Sequence, residues 1–388
     1  MVARMERDRD GIVLTEQLVH GQSFEEFVQA KTALHPDDAR AAILAGQQLL
    51  EIGLDYALGS DDGERARRRI VSWLLGIATS PELREPALRV DAGNVLAHIG
   101  DPRFHGPELF CLPNDALLGF RHIPAGRFYM GTRTEDFERV MTRVNVPKER
   151  WEDWYSNEKN PQPETHTDEY YIAKYPVTVA QFKQFVAETQ LKLRDTDALH
   201  GLDTHPVRYV TWHEAMKYCD WLTKKLKESN GLKASDPSLY TLMQRGAQAT
   251  LPSEAEWERA ARGDADMRVF SWDEDKPDPD RANYADTGIG DVSPVGCFPH
   301  GISPQGCLDM IGNVYEWTRS IYGPYPFDPG DPTREDLGAG NDQPRVLRGG
   351  SFRNRTRLAR VALRLSDRPD SIHGEDGLRV VIRAHSSS

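Results

Sequence analysis

The stretch Leu308–Trp317, LDMIGNVYEW, limits the fold more than any other part of the chain. Leu308, Met310, Ile311, Val314 and Trp317 are apolar, yet they surround a Gly312-Asn313 turn and carry the carboxylates Asp309 and Glu316 among them. Neither the helical period nor the strand period survives such a turn, so the segment reads as a bent, mostly buried core piece. It is answered further along by RVLRGGS, Arg345–Ser351, a second apolar run closed by paired glycines.

The rest of the chain divides by texture. Residues 1–112 read as helical and residues 113–388 as a separate unit of short strands, turns and aromatics. In the first part, 37–58 opens with acidic residues that suit a helix N-terminus, and 62–79 places Ile70, Trp73, Leu74 and Ile77 on one face. A third helix is expected from Ser80 as cap and Pro81 as first residue, with Leu88, Ala92, Val95 and Ile99 on one stripe before Gly100. Three such helices joined by short loops read as a small antiparallel bundle. In the second part, Phe120–Met130 reads as two strands broken at Pro124-Ala125-Gly126, and 133–164 as a long polar excursion. Thr178 opens a helix carrying Phe182, Phe185 and Val186, while Thr211/Glu214 and Ser253/Glu256 are capping-box patterns, stopped by Asn230-Gly231 and Gly263. A few helices among many short strands make an α+β unit.

Composition removes some functions. A net charge of -12 argues against general nucleic-acid binding, which needs clustered Lys and Arg. The N-terminus, MVARMERDRDGIVLTEQ, has charges where a leader needs an apolar run, and no stretch is apolar enough to cross a membrane, so a cytoplasmic protein is expected. Four cysteines (Cys111, Cys219, Cys297, Cys307) make no disulfide framework in a chain this long. Cys297, His300 and Cys307 match no zinc spacing, and buried thiols are the simpler expectation.

The opening stretch, with LPSEAEWERAARG (Leu251–Gly263), FYMGT (Phe128–Thr132), KYPVTVAQFKQFV (Lys174–Val186), HPVRYVTWHEAMKYCDWL (His205–Leu222) and GLRVV (Gly377–Val381), resembles the formylglycine-generating enzyme, or sulfatase-modifying factor, domain. The resemblance implies a C-type-lectin-like fold behind the helical part. It also implies calcium at the positions matching Asp309, Gly312, Val314 and Glu316, where a tight turn offers hard oxygen ligands. Copper is not expected. The family's oxidases hold it with two cysteines just after the GGS turn, and no cysteine follows Cys307 here. A second branch uses iron held by histidines of a helical domain, but His20, His35, His98 and His105 are scattered.

What remains is a surface. The final segment holds Phe352, Arg353, Asn354, Arg355, Arg357, Leu365, Asp367, Arg368 and His373, a locally cationic run in an acidic protein. Guanidinium forks pair with carboxylates and phosphates, so this face is expected to receive a protein or an acidic ligand. Arg360 and Arg364 complete the cluster, and about half of these arginines are expected at the surface. The preferred reading is therefore a non-catalytic, ligand- or protein-binding member of the family. The competing readings are a divergent metal-dependent oxidase or iron enzyme, and a regulatory component or processed target in a bacterial defence or signalling system. The last rests on HIGDPRF, 98–104, which resembles helical-repeat pieces that precede this domain in some bacterial proteins.

Overall fold

Two four-stranded sheets and a buried polar helix organise the C-terminal part of the chain in the computed structural model. The structure describes residues 11–13, 15–19, 21–30, 33–151, 155–264, 267–272, 276–328 and 330–384. Residues 1–10, on which the expectation about a leader rests, lie outside them, and so does His20.

The N-terminal part is helical: α1 (Phe24–Gln29), α2 (Pro36–Ile52), α3 (Leu54–Leu58), α4 (Asp61–Ala78) and α5 (Pro86–Ile99). His35 and Asp38 form a reciprocal cap at the start of α2, and Ser60 caps α4 through the Gly63 amide. The single helix expected over 37–58 is broken at Gly53, whose φ of 101° suits glycine and interrupts the helical backbone. The third helix begins later than expected. Ser80 Oγ accepts from the Glu82 and Leu83 amides and closes only a turn, while Pro86 takes the first position of α5. The stripe Leu88, Ala92, Val95 and Ile99 is buried as expected. Gly46 lets α2 approach α5 closely, because a Cβ there would lie 2.5 Å from Val95.

The helical layer is fastened to the rest by polar contacts as well as packing. Arg89 of α5 is fully buried and donates to Asp280 Oδ1 (2.7 Å), the Asp280 carbonyl (2.9 Å) and the Cys297 carbonyl (2.7 Å). Cys297 and Phe298 pack within the helical core, and Leu109, Phe110 and Leu112 pack within the core of the C-terminal part.

Strands β1 (Phe120–Ile123), β2 (Gly126–Tyr129), β3 (Thr132–Arg133), β4 (Lys159–Asn160), β5 (Glu164–Thr167) and β6 (Tyr170–Ala173) come first, with α6 (Phe137–Arg143) between β3 and β4. The expected strands at 120–130 both form but join different partners, β1 with β6 and β2 with β5. Helices α7 (Val179–Thr189), α8 (Trp212–Glu228), α9 (Asn230–Ser235) and α10 (Pro237–Gln244) follow, then β7 (Gln248–Thr250) and α11 (Glu254–Arg262). The capping boxes at Thr178/Gln181, Thr211/Glu214 and Ser253/Glu256 are all made. Asn230-Gly231 does not stop the chain's helicity, because Ser229 caps α9 at once through the Leu232 amide.

The last strands are β8 (Tyr315–Ile321), β9 (Arg345–Arg348), β10 (Leu365–Asp367), β11 (Asp376–Leu378) and β12 (Val381–Arg383). One sheet runs β1-β6-β12-β7, all antiparallel; the other runs β10-β9-β8-β11, with β11 parallel to β8. The end of the opening stretch is thus a regular strand. Tyr315–Trp317 is buried on both faces, so neither an alternating nor a helical apolar pattern marks it.

Helix α11 sits in the middle of this assembly. Every one of its residues is buried, although EAEWERAAR is mostly charged. Glu254 meets Arg364 (Nη2 to Oε2, 2.8 Å) and Arg348 (3.4 Å), Glu256 meets Arg319 (2.6 Å), and Glu258 meets Arg262 (2.7 Å) and Arg348. The expected excursion at 133–164 is drawn into the same network: Glu158 is fully buried against Arg360, with contacts of 2.6 and 2.7 Å. Burial alone would push the Glu254 carboxyl up, but Arg364 and Arg348 outweigh it and hold the group below the usual carboxylate range.

Removing one partner of such a pair strands a buried charge. Glu254→Ala should destabilise the protein by ~3–5 kcal/mol in urea unfolding at neutral pH, whereas Arg40→Ala, at an exposed pair, should stay within ~1 kcal/mol. Because the folded pKa of Glu254 is depressed, its contribution is full above the unfolded carboxylate value of about 4.3. It should fade as pH falls through the lower folded value.

Candidate functional site

The Gly312-Asn313 turn is held by backbone bonds that explain its residues. Gly312 (φ 76°) lies against Asn283, where a Cβ would stand 2.1 Å from the Asn283 carbonyl oxygen. Asn313 (φ 61°) donates its amide to the Asn283 carbonyl, and its side chain accepts from the Ser293 amide at 3.0 Å. The turn therefore delivers Glu316 to the first residues of β8 with its side chain pointing into the core.

There Glu316 meets Arg379. Arg379 Nη2 and Nε reach the two carboxylate oxygens at 2.8 and 2.9 Å, and Trp257 Nε1 donates to Oε2 at 2.6 Å. Arg379 also donates to the carbonyls of Ala173, Lys174 and Leu308, each at 2.8 Å. Asp309 Oδ2 accepts from the Gly296 amide at 2.7 Å. Its carboxyl is pushed up to about 6 by burial, partly opposed by that bond and by Arg379. The four residues expected to hold calcium, Asp309, Gly312, Val314 and Glu316, lie around this one turn. Glu316 among them already meets a guanidinium and an indole, so Arg379 supplies a positive charge beside it.

The final segment divides into a structural half and an exposed half. Phe352 is 2% exposed and packs with Val292 and Val314, so its expected contact with a ligand is corrected to a core role. Asn354 is half-buried and turns inward. Its Oδ1 accepts from the Ser351 amide (2.7 Å) and hydroxyl (3.1 Å), closing the GGS turn. Arg360 and Arg364 belong to the buried network described above, which leaves Arg353, Arg355 and Arg368 exposed and Arg357 half-buried. Arg353 pairs with Glu375 at 3.0 Å and Arg368 with Asp370 at 3.5 Å, while Arg355 has no acidic partner among the described residues. Leu365, 45% exposed, stands on the same segment.

Asp367 and His373 meet directly, Oδ2 to Nε2, at 2.7 Å. Asp376, the first residue of β11, completes a group of three whose ligand atoms lie within 4.8 Å of one another. Asp376 is 3% exposed, and burial, reinforced by Asp367 and Glu375 against His373, pushes its carboxyl up to about 7. Sequence reasoning missed it. It begins a strand that pairs with Tyr315, and nothing local in GEDGLR distinguishes it from its acidic neighbour Glu375.

The buried thiols lie in separate parts of the core. Cys219, Cys297 and Cys307 are buried in three different clusters, and burial raises the Cys297 and Cys307 thiols to about 12 and about 11. His300 turns its Nε2 to the Pro81 carbonyl at 2.6 Å, so Cys297, His300 and Cys307 do not converge.

Residues 115–384 match the family model of the sulfatase-modifying factor enzyme 1-like domain. The chain belongs to the formylglycine-generating enzyme family. Within that family it is 25% identical over 331 residues to the bovine inactive Cα-formylglycine-generating enzyme 2, covering 69% of this chain and 89% of that protein. It is 31% identical over 195 residues to the Streptomyces coelicolor formylglycine-generating enzyme, covering 46% and 53%. The solved structure of PvdO from Pseudomonas aeruginosa superposes with a TM-score of 0.48 at 24% identity, covering 71% of this chain and 95% of that one. Relatives of this formylglycine-generating enzyme homologue carry both active and inactive names, so membership leaves the chemistry to its own side chains. No helix among the described residues is long and apolar enough to cross a membrane.

The raised carboxyl of Asp309 gives a signed prediction. The folded protein holds this proton more tightly than the unfolded chain, so Asp309 costs stability progressively as pH rises from about 4 to about 6. Asp309→Asn should gain on the parent protein across that window, by up to about 3 kcal/mol, and the difference should level off above it. Thermal melts at several pH values read this directly. A calcium ion seated on Asp309 would reverse the sign at neutral pH.

Proposed function

We propose that this protein is a ligand-binding member of the formylglycine-generating enzyme family, with residues 352–376 as the recognition face and no copper oxidase chemistry. The observation that carries the reading is the final segment itself. The positions after Ser351 hold arginines and no cysteine, and the described thiols elsewhere are dispersed. Soft monovalent copper requires thiolates, which this face does not supply.

The exposed arginines favour a partner that carries carboxylate or phosphate groups. Arg353 and Arg368 are held in place by Glu375 and Asp370, and Arg355 on the same segment meets no acid among the described residues. An incoming anion would take a charge-assisted bond from Arg355 and compete for the other two. Protein partners with acidic side chains and small acidic ligands meet this requirement equally, and the neighbouring acids tune the face against indiscriminate anion binding. A structural calcium ion is not needed in this reading, because Arg379 neutralises Glu316.

Two measurements test it. Copper(I)-loaded protein supplied with a cysteine-containing peptide should consume no more oxygen than the free metal does. Titration with pyrophosphate and with an acidic peptide should show saturable binding that Arg355→Ala weakens by roughly tenfold, the loss expected for one hydrogen bond to a charged group. Peptide-dependent oxygen uptake by the metal-loaded protein would overturn the proposal.

A further inference from the structure

Asp367, His373 and Asp376 come together in a way that packing alone does not account for. Asp367 ends β10, Asp376 begins β11, and His373 lies in the loop between them. Their ligand atoms lie within 4.8 Å of one another, and His373 Nε2 is 2.7 Å from Asp367 Oδ2. Asp376 Oδ2 is buried and finds no hydrogen-bond partner among the described residues. A buried carboxylate oxygen left unpaired is costly, so it is retained where something else satisfies it.

The local charges name what is missing. Two carboxylates face one imidazole, and the nearby arginines are engaged elsewhere, Arg353 with Glu375 and Arg368 with Asp370. The other oxygen of Asp367 is fixed by the Arg368 amide and the Ser371 hydroxyl, both at 2.7 Å, which aims Oδ2 at the imidazole. Supporting bonds of this kind orient the ligands of metal sites. An ion bound octahedrally at about 2.1 Å holds neighbouring ligand atoms about 3 Å apart, close to the separation His373 and Asp367 already have.

We propose that Asp367, His373 and Asp376 bind one divalent first-row transition-metal ion of the zinc, manganese or ferrous class, through the imidazole and one oxygen of each carboxylate. The imidazole disfavours calcium and magnesium, which prefer oxygen alone, and the lack of a thiolate disfavours monovalent copper. Because His373 is exposed, the ion keeps positions open to solvent beside Arg353 and Arg368, where water or an anionic group can enter. The site shares the recognition face proposed above but does not depend on it, since the three ligands act without any partner bound.

The test uses the full chain, stripped with a chelator and then titrated with cobalt(II) as a visible probe and with zinc(II) by calorimetry. One equivalent should bind, and zinc should displace the cobalt absorption. His373→Ala and Asp376→Asn should each weaken zinc binding by about tenfold or more. His200→Ala, at an exposed histidine elsewhere, should leave it unchanged. Circular dichroism melts establish that the variants are folded, and Asp367→Asn replaces any that is not. Failure to bind one equivalent, or binding that survives these substitutions, would overturn the site. Intact metal binding with no anion binding would instead sink the recognition-face reading alone.

Discussion

The contact of Arg379 with Glu316 is the constraint on which the C-terminal part depends. Arg379 lies between β11 and β12, which belong to different sheets, and its guanidinium reaches carbonyls near the end of β6 and in the opening stretch as well as Glu316 on β8. One side chain therefore ties both sheets to the turn at Gly312. A buried charge of this kind is tolerated only when nearly all its donors are used, and here they meet a carboxylate and backbone oxygens. The geometry is specific because a bidentate fork admits little rotation.

The same logic repeats around α11. A helix with five charged residues in nine would ordinarily lie on a surface, but this one is wrapped by Arg319 of β8, Arg348 of β9 and Arg364 just before β10. Such pairs add less net stability than an apolar core of equal volume, and their worth lies in registering the elements against one another. Most of the buried arginines in the C-terminal part are explained this way, and they should not be counted in a binding face.

The surface that remains is small and mixed in sign. Arg353, Arg355 and Arg368 project from a segment that also carries the acids Asp367, Asp370 and Glu375. Its acids and bases lie close enough to hold one another in defined positions, which suits selective recognition better than diffuse electrostatic attraction. The fold presents this segment by anchoring its two ends, Ser351 through the Asn354 turn and Asp376 through pairing with Tyr315.

Local chemistry was legible in the chain. The capping boxes at Thr178, Thr211 and Ser253, the buried stripes of α4 and α5, and the absence of copper-binding cysteines near Ser351 all depend on residues a few positions apart, and each is visible without a fold. The family motifs carried the architecture. What the tertiary structure decided depends on distance in sequence. Gly53 rather than Leu58 ended a helix, Phe352 turned inward, Arg379 met Glu316, and Asp376 joined Asp367 and His373 across a loop. A residue's charge can be read from its letter, but whether that charge is met by water, by an arginine or by an ion is set by which strands the sheet brings beside it.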